Sequence, residues 1–420
     1  MMEHALTEKT GKGRSPILLV ILGFCAILCN GFATYKFVPI ISALMSYWGV
    51  GEGLIGTLQS SNAIASIAFL IPVGFLLRRW KPRWSGTFGA GLLVFGNLLG
   101  YFAPNFVLLI VSRVIEGLGA VTLNNMVHNI VQNHFDNEHR GRPLGIMNMG
   151  QYGGQFLHLL LAELLVSQFG WQIVYLYMCA FQLLFGIVWF IFANDTVTIL
   201  GIKGKSAALA ALKNAEAESR ETEQKSDGAL KVIAKLLKNK SFILLCLATA
   251  MYNPAIIQFG SYIKTYLQTV RGMTSQAATA VYLVHTICGC IAMFVGGTLS
   301  DLLKTRRKIA YVAFLVTIIL YFLLMKLPTN LIIIFMILYG LVPKMMHVLS
   351  SSALPSVVED PKNIPVAMSI QGVLSAIVNL LGGILVGFLI QETGYDTTIY
   401  VMMIFLFLGA LFWFLNKKIK

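Results

Sequence analysis

Charge is scarce in this sequence, and negative charge is scarcest. Asp, Glu, Lys and Arg together make up 12% of the 420 residues, and 18 acidic residues stand against 32 basic ones. A soluble domain carries about 25% charged residues, because its surface faces water. Hydrophobic residues reach 57% here, with a mean hydropathy of +0.74. The composition therefore excludes an ordinary soluble domain and predicts a chain that lies mostly in lipid.

The motifs of common enzymes are also missing. The sequence contains no HExxH metal motif, no Gly-x-Ser-x-Gly elbow and no phosphate-binding loop with a Lys. All six cysteines lie inside apolar segments, and Cys25 and Cys29, which share a helix face, have no His or carboxylate to complete a metal site. We therefore expect a protein that is not an enzyme, with no disulfide framework, no cofactor and no metal.

Long apolar runs recur along almost the whole chain. Twelve of them approach or exceed the roughly 20 residues that a membrane-spanning helix needs. The predicted spans, numbered 1 to 12 in chain order, are 16–46, 54–77, 85–103, 106–132, 143–167, 171–193, 241–269, 275–301, 309–326, 329–356, 363–391 and 395–416. The predicted fold class is an all-α integral membrane protein with twelve transmembrane helices.

The two halves of the chain repeat each other. When the sequence is shifted by 223 residues, most of four hydrophobic segments align without a gap, and Asn30 coincides with Asn253 and Gly74 with Gly297. A parallel repeat predicts two pseudo-symmetric six-helix bundles related by an axis along the membrane normal. It also predicts a binding site at the midplane between the bundles, which is typical of a transporter.

The positions of the basic residues predict the topology. If both termini face the cytoplasm, the inner segments contain 26 of the 32 Lys and Arg residues, and the outer loops contain only Arg271 and Lys326. Such a difference is a strong positive-inside signal. The net positive charge is therefore explained by this topology in a cytoplasmic (inner) membrane, without a nucleic-acid partner. We expect the protein to be a monomer embedded in the lipid bilayer.

These patterns divide the chain into five parts. In chain order they are a cytoplasmic N-terminus at 1–15, an N-terminal six-helix bundle at 16–193, a cytoplasmic linker at 194–240, a C-terminal six-helix bundle at 241–416 and a cytoplasmic C-terminus at 417–420. At the end of the linker, leucine and isoleucine occupy one helix face and lysine the rest. This pattern predicts an amphipathic helix on the anionic membrane surface.

A loop motif carries a family resemblance. The segment GGTLSDLLKTRRK resembles the Gly-x-Leu-x-Asp signature, followed by basic residues, of the major facilitator superfamily. Gly297 and Asp301 match this signature, and Arg306 takes a basic position. The first-half copy begins at Gly74 but has Arg78 where the family has an acid. The resemblance implies that these residues control the change between conformations, and Arg78 puts the first-half latch in question.

A second motif, on span 4, carries the same resemblance. Arg113, followed by Gly117, Gly119 and Ala120, resembles the family's helix 4 signature. The resemblance implies a twelve-helix transporter that works by alternating access. The glycine–proline motif of proton-coupled drug exporters is absent from span 5, which argues against the alternative of a drug exporter. The segment NGFATYKFVP at 30–39 is similar to bacterial anion porters of the cyanate and nitrate/nitrite type.

Charged residues inside the predicted spans point to the kind of substrate. The cations are Lys36, Arg113, Lys264 and Lys344, and the acids are Glu116 and Glu163. A charge near the bilayer centre costs about 3 kcal/mol or more and usually faces a cavity with a function. Because the interior has a surplus of two positive charges, we expect a small anionic substrate, of an organic, carboxylate type.

Depth in the membrane selects the residues expected at the central site. Lys36 and Lys344 lie near the midplane of spans 1 and 10, which the resemblance places around the central cavity. We predict that these lysines form an anion clamp, with snorkelling or pairing to backbone carbonyls as the alternative. The other predicted substrate-binding residues are Arg113, Asn30, Asn124, His128, Asn253, Gln258, Tyr35 and His347. Two further histidines, His158 and His285, are expected to be structural.

The mode of coupling stays open at this stage. Glu116 and Glu163 are candidate proton carriers for symport, whereas an exchanger needs only a counter-anion. Lys264 lies near the outer end of span 7 and is expected to act in gating. Prolines at 39, 254 and 343 predict interruptions of spans 1, 7 and 10, and such interruptions supply bending points for alternating access. A sensor without transport activity is a further alternative, although no signalling domain is added to the chain.

Overall fold

A computed structural model describes the helical body of the chain. It covers residues 16–80, 82–134, 141–193, 226–303, 306–358, 360 and 363–419. Within these ranges the secondary structure is helical, and no strand is formed. The predicted N-terminus and most of the predicted linker lie outside the described residues.

The helices follow the apolar runs of the sequence. They are α1 Pro16–Tyr35, α2 Ile41–Trp48, α3 Glu52–Ser60, α4 Asn62–Arg79, α5 Pro82–Tyr101, α6 Phe106–His134, α7 Gly141–Phe169, α8 Ile173–Phe192, α9 Ser226–Lys238, α10 Lys240–Tyr252, α11 Phe259–Thr269, α12 Ser275–Leu303, α13 Arg306–Lys326, α14 Ile332–Val357 and α15 Ile364–Leu415. A break at Gly394, where φ is 80°, divides α15 into two spans. Glycine adopts this left-handed backbone without the steric penalty of a Cβ.

The described residues form twelve spans. Nine segments of the described chain are long and apolar enough to cross a membrane. One of them, Val366–Leu415, contains the break at Gly394 and supplies two spans. The glycine-rich helices α5 and α7, with 20 and 29 residues, have the necessary length and complete the twelve. The predicted all-α fold is therefore confirmed.

Irregular backbone interrupts two of the spans. A turn at residues 36–40 separates α1 from α2, and a π-helical segment, Asn253–Gln258, joins α10 to α11. Pro39 and Pro254 lie in these segments. Proline lacks the N–H donor that a continuous α-helix needs, so each proline favours the interruption around it. The interruption expected at Pro343 is not observed, because α14 continues as one helix through that residue.

Each half of the chain packs into its own bundle, and the bundles meet along two seams. The first seam lies between α3–α4 and α15, and the second between α7 and α12. A shift of 223 residues places Glu52, which begins α3, on Ser275, which begins α12. The same shift places Gly141, which begins α7, on Ile364, which begins α15. The two seams are therefore exchanged by the pseudo-two-fold axis that the sequence repeat predicts.

The bundles approach closely at the end of the molecule where α3, α8 and α12 begin, which we call the interlocked end. A Cβ added at Gly56 would meet the carbonyl of Gly383, and one added at Gly387 would meet the carbonyl of Glu52. The hydroxyl of Tyr262 donates a hydrogen bond of 3.0 Å to the carbonyl of Glu52. Glycines thus let the backbones of opposite bundles touch at this end.

Candidate functional site

Lys36 lies at the break after α1, and its side chain is fully buried within the N-terminal bundle. Its ammonium donates a hydrogen bond of 2.7 Å to Asn97 Oδ1 and forms an ion pair with Glu116 Oε1. It also lies 4.2 Å from the centroid of the Tyr175 ring. The break in the helix and the neighbouring helices α5, α6 and α8 together hold this cation in place.

Arg113 completes the same charge cluster from one turn of α6. Its Nη1 atom donates to Glu116 Oε2 at 2.7 Å and to the carbonyl of Ala33 at 2.8 Å. Arg113 and Glu116 lie three residues apart on α6, so they share a helix face and form an ion pair. Two cations therefore share one carboxylate in the N-terminal bundle, which leaves a formal charge of +1 in this cluster.

The expected clamp between Lys36 and Lys344 is not the arrangement in this structure. The ammonium of Lys36 is occupied by Glu116 and Asn97 inside one bundle, so it does not reach across to the other. The backbone carbonyl of Lys36 is occupied as well, since it lies 2.8 Å from Nε2 of His158. The clamp stays a prediction, and the structure adds that Lys36 has partners inside its own bundle, since helix depth does not fix the direction in which a side chain leaves the helix.

Lys344 has different surroundings, although it is buried to a similar degree. Only 2% of the residue is exposed, and its ammonium lies 5.3 Å from the centroid of the Tyr152 ring on α7. Within the described part of the chain, no carboxylate lies within ion-pair distance of this ammonium. Lys344 is therefore a buried cation that faces the opposite bundle and has an aromatic neighbour instead of an acid.

A group of aromatic and amide side chains extends from Lys344 into both bundles, and we call it the Lys344 cluster. His285 lies where α12 packs on α14, since a Cβ added at Gly340, one turn before Lys344, would meet the carbonyl of His285. Its ring is stacked on that of Tyr339 and tilted to that of Tyr282, with centroids 5.2 and 5.0 Å away. From the N-terminal bundle, Gln155 Nε2 donates to the hydroxyl of Tyr282 at 3.4 Å. The other members of the cluster are Tyr152 and Tyr35, whose rings lie 6.4 Å apart. Both bundles thus contribute to it.

Lys264 and Glu163 form a third charged group, near the interlocked end. The ammonium of Lys264 lies 3.2 Å from Glu163 Oε2 on α7. The same oxygen accepts hydrogen bonds from Thr279 at 2.6 Å and from Ser275 at 3.3 Å, both on α12. One carboxylate of the N-terminal bundle is therefore held by three side chains of the C-terminal bundle. The gating role expected for Lys264 stays a prediction.

The remaining predicted residues have varied positions. Gln258 donates to Asn379 at 2.9 Å, and Asn253 donates to the carbonyl of Ser375 at 3.3 Å, so both bond to α15. Asn124 is exposed, Asn30 and His128 are partly exposed, and Arg306 begins α13. Gly74 and Gly297 lie in α4 and α12, and the side chains of Arg78, Asp301 and His347 lie outside the described part of the structure.

Several residues of these clusters were not among the predicted site residues, and Asn97, Tyr152 and His285 are the examples that matter here. Asn97 holds Lys36, Tyr152 lies beside Lys344, and His285 packs on α14 one turn from Lys344. Asn97 and His285 are polar residues inside apolar spans, and this signal alone makes them candidates. Tyr152 had no such signal, because tyrosine is common in apolar segments.

A family model and a solved structure are similar to this chain over most of its length. The model described as Major Facilitator Superfamily matches residues 23–356 and, in a second match, residues 285–420. A solved structure of a bacterial homologue of the human lysosomal transporter Spinster, in an inward-facing and occupied conformation, has a TM-score of 0.76 at 14% identity. The two chains cover each other to 97% and 98%, so this likeness concerns the fold.

Curated relatives show similarity over shorter stretches. A hexuronate transporter of Bacillus subtilis is 26% identical over 227 residues, which are 54% of this chain and 48% of the relative. A probable galactarate/D-glucarate transporter, GudP, of the same organism is 23% identical over 274 residues, which are 63% of this chain and 60% of the relative. The matched part of this chain thus spans about half to three-fifths of these relatives.

Proposed function

Because this chain belongs to the Major Facilitator Superfamily, we propose that it is a secondary transporter for a small hydroxylated carboxylate of the sugar-acid class. It carries this anion across the bacterial cytoplasmic membrane, with both termini in the cytoplasm and the interlocked end outside. Rocking of the two bundles about the central site exposes the bound anion to each side in turn.

The buried ammonium of Lys344 is the observation that carries this proposal. It is 2% exposed and faces the seam between the bundles, with no carboxylate of the described residues beside it. A buried charge without a counter-charge is costly, so such a residue is retained where a ligand supplies that charge. An anion fits this position, whereas a cationic drug would be repelled. The charge of Lys344 therefore favours anion transport over drug export.

The names of the relatives suggest the chemical class of the anion. Hexuronate, galactarate and D-glucarate, which appear in those names, are six-carbon acids that carry several hydroxyl groups. In the proposed complex a carboxylate binds the ammonium of Lys344 through a charge-assisted hydrogen bond. The rings of Tyr35 and Tyr152 form a wall beside it and shield the pair from water.

Opening of the interlocked end is the conformational step that admits the anion in this proposal. It separates Lys264 from Glu163 and Tyr262 from the carbonyl of Glu52. A proton bound by Glu163 would weaken the first of these contacts, so Glu163 is one proton carrier for symport, and Glu116 is the other. In an exchanger, binding of a counter-anion takes the place of the proton.

Uptake by proteoliposomes tests the proposal. Purified full-length protein is reconstituted, and uptake of radiolabelled D-glucuronate is measured for the wild type, for Lys344→Gln and for Lys326→Gln, which removes an exposed lysine at the end of α13. We expect Lys344→Gln to reduce uptake by about ten- to a hundredfold, the range for losing a hydrogen bond between charged groups. The Lys326 control should retain wild-type uptake.

Two further conditions identify the coupling. Uptake that increases with an inward proton gradient indicates symport, and uptake that increases only with D-glucuronate inside the vesicles indicates exchange. Equal uptake by the wild type and Lys344→Gln would contradict the proposed binding role of this lysine.

A further inference from the structure

His285 is a buried histidine whose imidazole has no hydrogen-bond partner among the described residues. It is 1% exposed, and neither Nδ1 nor Nε2 bonds to another described residue. The ring is stacked on that of Tyr339 and tilted to that of Tyr282. Aromatic packing therefore accounts for a ring at this position, but it does not account for a ring that carries two buried nitrogens.

A second histidine of the same chain shows how a structural imidazole is held. His158 is also fully buried, but its Nε2 lies 2.8 Å from the carbonyl of Lys36 and its Nδ1 lies 2.6 Å from the hydroxyl of Tyr177. Since a carbonyl only accepts, Nε2 of His158 donates and Nδ1 accepts the tyrosine proton. Both nitrogens of His158 are satisfied within the protein, which is the usual state of buried polar groups.

Another unbonded polar atom lies on the opposite side of the same region. Gln155 is fully buried, and while its Nε2 donates to Tyr282, its Oε1 accepts no hydrogen bond within the described part of the chain. Tyr282 contacts both Gln155 and His285, so the unbonded atoms of the two bundles flank one tyrosine. They lie in the Lys344 cluster, where the charged part of the substrate is expected.

Unbonded buried polar atoms reduce stability, since each forfeits its hydrogen bonds to water and typically costs about 1–3 kcal/mol. Residues that weaken the fold in this way are expected where a ligand makes the missing bonds. The imidazole offers one donor and one acceptor, and the Gln155 oxygen offers an acceptor. A hydroxyl group, which both donates and accepts, matches this set, whereas a hydrocarbon chain leaves all of these atoms unbonded.

We propose that His285, assisted by Gln155, forms a hydroxyl-binding subsite beside Lys344. The subsite makes the transporter selective for carboxylates that carry hydroxyl groups along the chain, over plain carboxylates of the same length. This inference rests on the proposed function, because Lys344 must first hold the carboxylate. A site built to hydrogen-bond a hydroxyl rejects the analogue that lacks it by large factors, since its buried groups then stay unpaired.

Two six-carbon acids test the subsite. D-gluconate has five hydroxyl groups and hexanoate has none, and both are used to displace radiolabelled D-glucuronate from purified full-length protein. We expect the wild type to prefer D-gluconate by about a hundredfold or more. His285→Phe keeps an aromatic ring between the two tyrosines and removes both nitrogens. It should weaken D-gluconate about tenfold and leave hexanoate unchanged.

The control variant and the thermal midpoint separate binding from structure. Cys288→Ala changes a buried residue one turn along the same helix and should keep the wild-type ratio. His285→Phe should unfold at the wild-type temperature or higher, because the removed nitrogens bond to no described protein group. A clearly lower midpoint together with an unchanged D-gluconate-to-hexanoate ratio would mean that His285 is structural, and would overturn the subsite.

The outcomes also distinguish the subsite from the proposed function. If Lys344→Gln abolishes displacement by both acids while His285→Phe keeps the wild-type ratio, the sugar-acid transporter stands and the subsite is wrong. If the wild type binds neither D-glucuronate nor D-gluconate, both proposals fail together.

Discussion

Lys36 and Lys344 are both buried lysines near the middle of the membrane spans, but their ammonium groups have opposite surroundings. Lys36 is paired with Glu116 and bonded to Asn97, inside a single bundle. Lys344 faces the other bundle and has the ring of Tyr152 beside it. The difference separates a cation that the protein neutralises from one that is left for a ligand, although both look alike in the sequence.

The polar residues Asn97, beside Lys36, and His285, in the Lys344 cluster, differ in the same way. In the N-terminal bundle, the Asn97 amide bonds to Lys36, to Gln182 at 2.7 Å and to the carbonyl of Leu93 at 2.8 Å. In the Lys344 cluster, the nitrogens of His285 bond to no described residue. Asn97 is thus bonded at both amide atoms, whereas His285 keeps two unbonded nitrogens for a ligand. The contrast concerns these two residues and not the whole bundles, since Gln182 Nε2 and Arg113 Nε also bond to no described residue.

The largest expected effect comes from removing the shared carboxylate. Glu116→Gln leaves Lys36 and Arg113 as two buried cations without an acid, and removing one partner of a buried ion pair typically costs about 3–5 kcal/mol. We expect a loss of this size in the free energy of unfolding, measured in detergent. Glu392→Gln, at an exposed glutamate, should have no measurable effect. If Glu116→Gln and Glu392→Gln unfold with the same free energy, Glu116 does not stabilise Lys36, and the two lysines no longer differ in this respect.

Replacing each lysine by methionine sharpens the comparison. Lys36→Met deprives Glu116 and Asn97 of a donor and should lower the free energy of unfolding by about 1–3 kcal/mol. Lys344→Met removes a charge with no acid beside it among the described residues, so stability should stay equal or increase. Displacement of D-glucuronate should show the reverse order, with binding lost in Lys344→Met and largely kept in Lys36→Met. Loss of stability in Lys344→Met would point to a structural role.

The smallest expected effect concerns the hydrogen-bonded histidine. His158→Phe leaves the carbonyl of Lys36 and the hydroxyl of Tyr177 without their partner, at about 1–2 kcal/mol in the free energy of unfolding. Tyr177→Phe removes one of these bonds and should reproduce part of the loss. A thermal midpoint of His158→Phe equal to that of the wild type would show that hydrogen bonding does not distinguish the two histidines.

Much of the fold follows from local patterns of the sequence. Apolar runs predict the spans because each helix satisfies its own backbone in lipid, and the 223-residue shift predicts the two related seams. The pairing of Arg113 with Glu116 was predictable as well, since residues three apart share a helix face. The break after Tyr35 was signalled by Pro39, but a proline does not predict its extent, residues 36–40.

The candidate site was less predictable because its contacts join distant parts of the chain. Lys36 meets Asn97 and Glu116, which are 61 and 80 residues away, and no periodicity within one helix reports such neighbours. His158 and His285 look equivalent in sequence, and only their tertiary partners distinguish them. The direction of a side chain around its helix depends on packing, which depth and hydropathy do not encode.

The glycines of the interlocked end have a consequence for the energetics of the transport cycle. Gly56, Gly383 and Gly387 bring backbone against backbone, and Gly53 packs beside them on the ring of Phe388, so separating the bundles at this end exposes peptide groups together with hydrocarbon. Apolar exposure raises heat capacity and polar exposure lowers it. The heat-capacity change of opening should therefore be small, and the enthalpy of opening should stay nearly constant as temperature changes. The logarithm of the ratio between the open and closed forms of this end should then vary linearly with inverse temperature.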